Sequence, residues 1–533
     1  MKQRLWSGRL IRVLLIVISL PLLTDFAKTI VRAGDGDLDP AFGNGGIVIT
    51  DFGHDEDVSV VLVQRDGKVL GVGSAISGVG FTLARYNANG TLDSTFGVAG
   101  EVVTNFFGST QTANGAVLQP DGKIVVGGTA FKTDHYVFAL ARYNIDGSLD
   151  PSFGMAGIVD ADLFAGGEQI SGIGLRQDGK IVAVGVTFAS GSGNSGMAVA
   201  RYNPNGSLDS GFGMGGKVFV NTIVSGIGAT RTAFQPDNKI ILGGFAIPFG
   251  INGADFTLLR LNADGSVDPS FGTNGEVTTD FSNSNDFLYA LTLQPDGKII
   301  AAGGAPTPSS VIHTALARYN SDGSLDNTFG VGGKVISGLH AFFDQAKAVA
   351  VQSDGRIVVA VHSFSVLVAR YNHDGALDQT FGAGGVSTTV LRDDGLATPQ
   401  SLAIQSDGGI VAGGIVLSPN TGSDYFLLRI RGTAFDFCLQ DDSGGGVLQV
   451  NLTTGAYHFS NCRGVTLGGT GSIAIRGCSI TLQGNSSDRR VLVKIDTCRK
   501  TGTGSIQFFA QGTTFSILDR NTDNNMCACA SSP

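Results

Sequence analysis

Three short motifs recur seven times in one fixed order along this chain, and that recurrence limits the fold more than any other feature. A motif close to D-G-x-L-D-x-x-F-G places its Phe at Phe42, Phe96, Phe153, Phe212, Phe271, Phe329 and Phe381. A second, Q-x-D-G-K, places its Asp at Asp66, Asp121, Asp178, Asp237, Asp296, Asp354 and Asp407, with Asn238 and Gly409 among the departures. A third, A-R-Y-N, places its Arg at Arg85, Arg142, Arg201, Arg260, Arg318, Arg370 and Arg429. A unit of roughly 57 residues repeated this often buries its apolar face against its neighbours, not within itself.

Each unit reads as four short strands. In the second unit they fall at about Glu101–Asn105, Gly115–Gln119, Lys123–Ala130 and Tyr136–Asn144, rich in Val, Ile, Phe and Tyr and separated by Asp-Gly turns. With 79 Gly against 14 Pro and 42% apolar residues, the composition suits a turn-dense all-β chain. Four strands per unit leave no room for a helix, and seven copies suit a closed ring. The expectation is a seven-bladed β-propeller of four-stranded blades, in preference to an open solenoid.

In these motifs the chain resembles the delta-60 repeat family of exported bacterial β-propeller-like proteins, over about residues 34–431. The resemblance implies a propeller-like array and no assigned chemistry. The last copy departs most, since Arg429 is followed by Ile430-Arg431 where the others have Tyr-Asn or Leu-Asn.

Loop lengths separate two faces. From the motif Phe to the next D-G-K Asp the interval is 24 to 26 residues, and from the motif Arg to the next Phe it is always 11. Between the D-G-K Asp and the Arg it ranges from 16 to 23. In an up-and-down blade, both repeated turns then share one face and both irregular loops share the other. Loops that vary on a rigid scaffold are where binding specificity resides. The candidate binding residues on this individual face are Asp55, Asp57, Phe131, His135, Tyr136, Asp162, Phe188, Phe249, Asp286, His313, Phe364, Asp394 and Tyr425. They form an acidic, aromatic-studded set suited to a protein, a cation or a small ligand; the plainer reading is a solvated rim with aromatics tucked between blades.

Repetition itself argues for architecture. The seven Arg and the Asp of each L-D step (Asp39, Asp93, Asp150, Asp209, Asp268, Asp326 and Asp378) invite a structural clamp, because an Arg near a strand end can hold a turn carboxylate with charge-assisted hydrogen bonds. The turn Asn262-x-Asp264-Gly265-Ser266-x-Asp268 approaches a calcium loop, but Arg260 stands where the first ligand belongs, so an Asx-turn is expected and calcium is the minor alternative. No other cofactor and no metal set is indicated. The seven His are scattered without an H-x-H or H-x-x-x-H pair, and no Cys lies in the repeats. No catalytic residue is assigned.

The N-terminus carries Lys2, Arg4, Arg9 and Arg12, then an apolar run Val13–Leu23, then Val31-Arg32-Ala33. That order is a secretory signal peptide covering 1–33, too short to span a bilayer. Its removal takes six basic residues and one acid, leaving 30 basic and 44 acidic side chains. Such a field disfavours nucleic acid as a partner. Trp6, the only Trp, leaves with the signal, which weakens Trp-stacked carbohydrate and ammonium sites.

All six cysteines, Cys438, Cys462, Cys478, Cys498, Cys527 and Cys529, lie in a third segment, 432–533. In an exported chain they read as disulfides stapling a small β-sandwich-like domain; their wide spacing disfavours zinc. The domain organisation is thus signal 1–33, propeller 34–431 and a Cys-rich β domain 432–533. The functional expectation is a secreted, periplasmic or cell-surface scaffold binding an extracellular protein or glycan. The alternative is a carboxylate-based hydrolase or lyase acting on polysaccharide.

Overall fold

The computed structural model describes residues 35–432 apart from 54–55, 76–79, 107–109, 165, 189–194, 221–224, 248–252, 283, 308, 392–396 and 419–421, and beyond 432 the backbone of eight strands between 437 and 517. Residues 35–432 fold as seven four-stranded antiparallel sheets. The first five strands set the pattern: β1 is Ile47–Thr50, β2 Glu56–Val63, β3 Val69–Ala75, β4 Gly80–Tyr86 and β5 Glu101–Thr104. The first sheet has the order β2-β3-β4-β5. The strands equivalent to β2, namely Gln111–Leu118, Glu168–Leu175, Ser225–Phe234, Phe287–Leu293, Gln345–Val351 and Ala397–Ile404, touch one another in sequence, and the last touches β2 again. They are therefore the innermost strands of a closed ring.

Blade and sequence unit are out of phase. The four strands read from the second unit do not form one blade: Glu101–Thr104 is the outer strand of the first blade, and the second blade is Gln111–Leu118, Ile124–Lys132, His135–Tyr143 and Ile158–Ala161. The phase shift seals the ring. The seventh sheet contains Ala397–Ile404, Ile410–Ser418 and Gly422–Ile430, and its fourth strand is β1 from the far end of the propeller, paired Ile47 to Leu428 through Thr50 to Tyr425.

Each inner strand also carries a β-bulge at the same place, Val58/Val60 in β2 and Ala113/Gly115 in the second blade, and Ser225–Phe234 has a second register shift between Ser225 and Gly228. The bulge explains why the strand expected to begin at Gly115 in fact begins at Gln111: one extra residue breaks the alternation on which the sequence reading relied. The middle strands are buried on both faces: every residue of Val69–Ala75 and of its partner Gly80–Tyr86 is buried. Seven apolar layers between the blades make the core.

The strands beyond 432 hydrogen-bond in one continuous eight-stranded order. This departs from the expected sandwich reading in one respect: Thr466–Arg476 serves both halves, its first part pairing with Ala456–Asn461 and its second with Ser479–Ser486. The side chains of Cys438, Cys462, Cys478, Cys498, Cys527 and Cys529, and the whole of 1–33, lie outside the described residues.

Candidate functional site

On the uniform face the repeated residues lock blade to blade. Arg142 Nε donates to Asp150 Oδ2 at 2.8 Å, Nη2 to Ser152 Oγ at 3.0 Å, and Nη1 to the Pro204 carbonyl of the next unit. The guanidinium lies over Phe153, 4.7 Å from the ring centroid. Lys123 Nζ donates to the same Asp150 oxygen at 2.7 Å, and Ser152 takes the other. The Arg–Asp pair recurs at Arg85–Asp93, Arg201–Asp209, Arg260–Asp268, Arg318–Asp326 and Arg370–Asp378, all between 2.6 and 2.8 Å, and at Arg429–Asp39, 3.2 Å.

Burial alone would raise Asp150, but hydrogen bonds from Lys123 and Ser152 and the charge of Arg142 outweigh it and hold its carboxyl well below the usual range. At Asp209, with Lys180 the main cause, the value falls to about 2. Asp264 Oδ1 accepts from Ser266 N at 2.9 Å and from its hydroxyl at 2.7 Å, an Asx-turn, with Arg260 committed to Asp268. A shallow cavity of about 600 Å³ between the first two blades is lined by Lys68, Arg85, Asp121, Lys123 and Asp146. Its cations are already engaged with Asp93 and Asp150, so it offers an anionic ligand no uncommitted cation.

The individual face is built differently. Where an outer strand passes to the next inner strand, a buried side chain at the inner strand's start ties down the connecting backbone. Gln111 Oε1 accepts from Phe106 N at 3.0 Å, Glu168 Oε1 from Leu163 N at 2.7 Å, Asp286 Oδ2 from Phe281 N at 2.6 Å, and Asp344 Oδ2 from Leu339 N and His340 N at 3.1 Å. Reasoning from sequence missed this role, although the signal was there: each acceptor follows the apolar residue it ties by five positions.

At two such junctions carboxylates gather in threes. Asp51, Glu56 and Asp424 bring one oxygen each within 4.8 Å of one another, and so do Asp255, Asp280 and Asp286. In each set two acids are buried and one, Asp51 or Asp280, is exposed. Asp286 is pushed up to about 6, by burial first and then by Asp280 and Asp255, against the bond from Phe281 N.

The expected site residues scatter around this face. Phe131, His135, Tyr136 and Asp162 do come together at one hairpin tip: His135 Nδ1 meets Asp134 at 2.7 Å, Nε2 meets Asp162 at 3.1 Å, and Phe131 packs edge-on to Tyr136 at 5.1 Å. Asp134 and Asp162 raise the pKa of His135. His313 Nδ1 is held by buried Asp344 at 2.7 Å. Phe364, 58% exposed, pairs with Phe342 at 6.5 Å, and Phe188 is 43% exposed. Asp57 accepts from Ser74 N at 2.9 Å and is pushed by burial up to about 6.

Two of the candidate binding residues are buried. Asp286 is fully buried because it serves Phe281 N, and Tyr425 is buried because its hydroxyl meets Thr82 across the blade interface and its ring packs on Phe52 at 4.9 Å. Asp55, Phe249 and Asp394 lie outside the described residues.

The family model for a domain of unknown function (DUF5122) β-propeller matches residues 64–96, 119–153, 176–212, 235–271, 294–329 and 352–381, each segment running from the Q-x-D-G-K turn to the motif Phe. The chain is a β-propeller repeat protein. Among curated proteins nothing matches it. Solved structures similar to this propeller include a streptogramin B lyase, 10% identical, covering 72% of this chain and 98% of that one with a TM-score of 0.40. They also include a catalytically inactive virginiamycin B lyase from Staphylococcus aureus with quinupristin, 10% identical, at 72% and 98% with 0.39. A third is a polysaccharide lyase, an ulvan lyase, 13% identical, at 72% and 96% with 0.40. At those values neither site nor chemistry transfers to this propeller.

Proposed function

We propose that this is an exported binding protein of the delta-60 repeat type, non-catalytic, whose individual face holds a cationic partner, an extracellular or cell-surface protein. One observation carries the reading. On the uniform face the L-D carboxylates are each matched by Arg and, in most blades, Lys, whereas on the individual face carboxylates are grouped with one another at two blade junctions. Like charges held this close keep a standing negative potential that a positive surface relieves. The exposed rings of Phe342, Phe364 and Phe188 add apolar contact area on the same face.

The test is retention of partners from the medium of the producing cells by the exported protein and by a variant with Asp51→Asn, Asp162→Asn and Asp280→Asn. The expected result is loss of partners from the variant and from the native protein in high salt. Unchanged retention in both rejects the reading.

The carboxylate-hydrolase alternative keeps one supporting observation, the raised Asp286 beside Asp280 and Asp255, an arrangement a general acid would use. Against it stands access, since Asp255 and Asp286 are 4% and 0% exposed. Release of reducing ends or unsaturated products from a polysaccharide by the native protein, abolished by Asp280→Asn, would favour the alternative.

A further inference from the structure

The third strand of each blade starts on the individual face, and its register with the outer strand fixes which residues meet there. In the fourth blade Asp255–Leu261 pairs with Glu276–Thr279, Phe256 opposite Thr279. Asp255 and Asp280 therefore stand one step beyond that pair, where the chain leaves for the inner strand of the fifth blade. Asp286 directly precedes that strand, and its amide donates to the Ala254 carbonyl at 2.5 Å, which seats it beside Asp255. One oxygen from each of the three carboxylates lies within 4.8 Å of the other two.

Other junctions manage with the inner-strand acceptor alone. At the corresponding three positions the first and second blades have Gly80, Asn105 and Gln111, and the second and third have Val137, Asp162 and Glu168. Between the fifth and sixth blades His313 stands in the place of Asp255 and meets Asp344 at 2.7 Å. Tying down the loop therefore does not call for a carboxylate on the third strand. Asp255 is nevertheless only 4% exposed, and among the described residues its carboxylate accepts no hydrogen bond and joins no ion pair. Lys334 comes close, but its ammonium donates to the Asp280 main-chain carbonyl at 2.8 Å and lies 5.6 Å from the centre of the Phe281 ring. A buried carboxylate with no donor, held beside two others, costs stability unless a cation lies among them.

We infer that Asp255, Asp280 and Asp286 bind one calcium ion at the junction of the fourth and fifth blades. All three donors are carboxylates, the ligands a hard cation takes in preference to imidazole or thiolate. Their spacing suits calcium, whose oxygens stand about 2.3–2.6 Å from the ion and so up to about 5 Å apart across it; magnesium, at about 2.1 Å, requires a tighter cage. Asp280 is exposed and opens the site to water, which completes the coordination. Asp286 can bind the ion without releasing Phe281 N, because that amide takes Oδ2 and leaves Oδ1 with a long 3.4 Å bond from Ser282 Oγ. The ion joins the third strand of one blade to the inner strand of the next and pins the irregular loop between them. The cationic-partner reading draws also on Asp51 and Asp162, and calcium binding is measured with no partner present, so either can fail without the other.

The experiment uses the exported full chain, freed of divalent ions with EDTA and exchanged into chelator-free buffer at fixed ionic strength, with calcium chloride and magnesium chloride as probes. Calorimetric titration is expected to show saturable calcium binding with a Kd on the order of 10⁻⁴ M, and magnesium binding at least about tenfold weaker. Asp255→Asn and Asp280→Asn are each expected to bind one calcium ion fewer than the native protein. The second variant, at an exposed position, keeps the count readable if the first does not fold. Thermal unfolding separates a ligand from a structural role. Without calcium, Asp255→Asn is expected to melt above the native protein, because a repulsion has been removed, and added calcium is expected to raise the native protein more than the variant. An Asp255→Asn variant that melts below the native protein both with and without calcium marks Asp255 as structural and overturns the inference. So does a native protein that takes up no calcium, a pair of variants that bind as many ions as the native one, or magnesium binding as tight as calcium.

Discussion

The carboxylate of Asp35 receives Arg370 Nη2 at 2.9 Å while its main-chain carbonyl receives the Gly382 amide at 2.7 Å, joining residues from nearly opposite ends of the propeller sequence. The same amide contact joins Gly97 to Asp146, Gly154 to Asn205 and Gly213 to Asp264. The first motif copy therefore docks on the last as every other copy docks on its predecessor. A Cβ on Gly36, whose φ is +93°, would lie 2.2 Å from Gly382 N. Gly36→Val is expected to lower stability by about 2–4 kcal/mol, through backbone strain and a clash that backbone atoms cannot relieve. Denaturant unfolding checks this, with Gly45→Ala, which faces open space, as the milder companion.

Tyrosine hydroxyls at the ends of the third strands find their partners in the preceding blade. Tyr86 donates to Thr50, Tyr143 to Thr104 and Tyr319 to Thr279, at 2.7 to 2.8 Å. Tyr202 has Ala161 in the corresponding place, and its buried hydroxyl has no partner. Tyr143→Phe should cost about 1 kcal/mol, whereas Tyr202→Phe should be neutral or slightly stabilising. Equal losses in the two denaturation curves would contradict the pairing.

Asp150 is buried among Arg142, Lys123 and Ser152, whereas Asp146 sits exposed in an Asx-turn. Asp150→Asn leaves a buried guanidinium short of its counter-charge and should cost about 3 kcal/mol. Asp146→Asn keeps the turn's acceptor and should cost under about 1 kcal/mol. A melt of both variants separates architecture from surface.

Stability should peak in mildly acidic solution. Asp93, Asp150, Asp268 and Asp326 are held well below the ordinary carboxylate range, and Asp209 at about 2. Their contribution is full above about pH 4 and is lost as pH falls through those folded values. Asp57 and Asp286 run the other way. Burial raises both to about 6, so between about pH 4 and 6 the folded chain binds more protons than the unfolded one, and stability falls as pH rises. A melting temperature highest near pH 4 to 5, sloping gently to 7 and steeply below 3, is the expected profile. A steady rise to pH 7 would contradict the assignment of Asp57 and Asp286.

Repeated residues were legible because each recurs in a fixed spacing, and the division into two faces followed from counting the intervals between them. The phase of the blades was not legible. Sequence defines a unit by its motifs, whereas hydrogen bonding assigns Glu101–Thr104 to the blade before it. Candidate residues were chosen as polar or aromatic in irregular loops, a rule that cannot tell exposed Phe364 from buried Tyr425, since burial there depends on contact with Thr82, more than three hundred positions away.

The strand pair that closes the ring has a mechanical consequence. Ile47 and Leu428 lie opposite one another at the end of the pair from which the chain leaves in both directions, and beyond them Gly36 N bonds the Arg431 carbonyl at 2.7 Å. Tension applied between the two ends of the propeller therefore loads these hydrogen bonds one after another, like a zip, and not all together in shear. Pulled by anything fastened to both sides, the ring yields at this seam before any other blade stretches, opening into a chain of six intact blades and one frayed sheet.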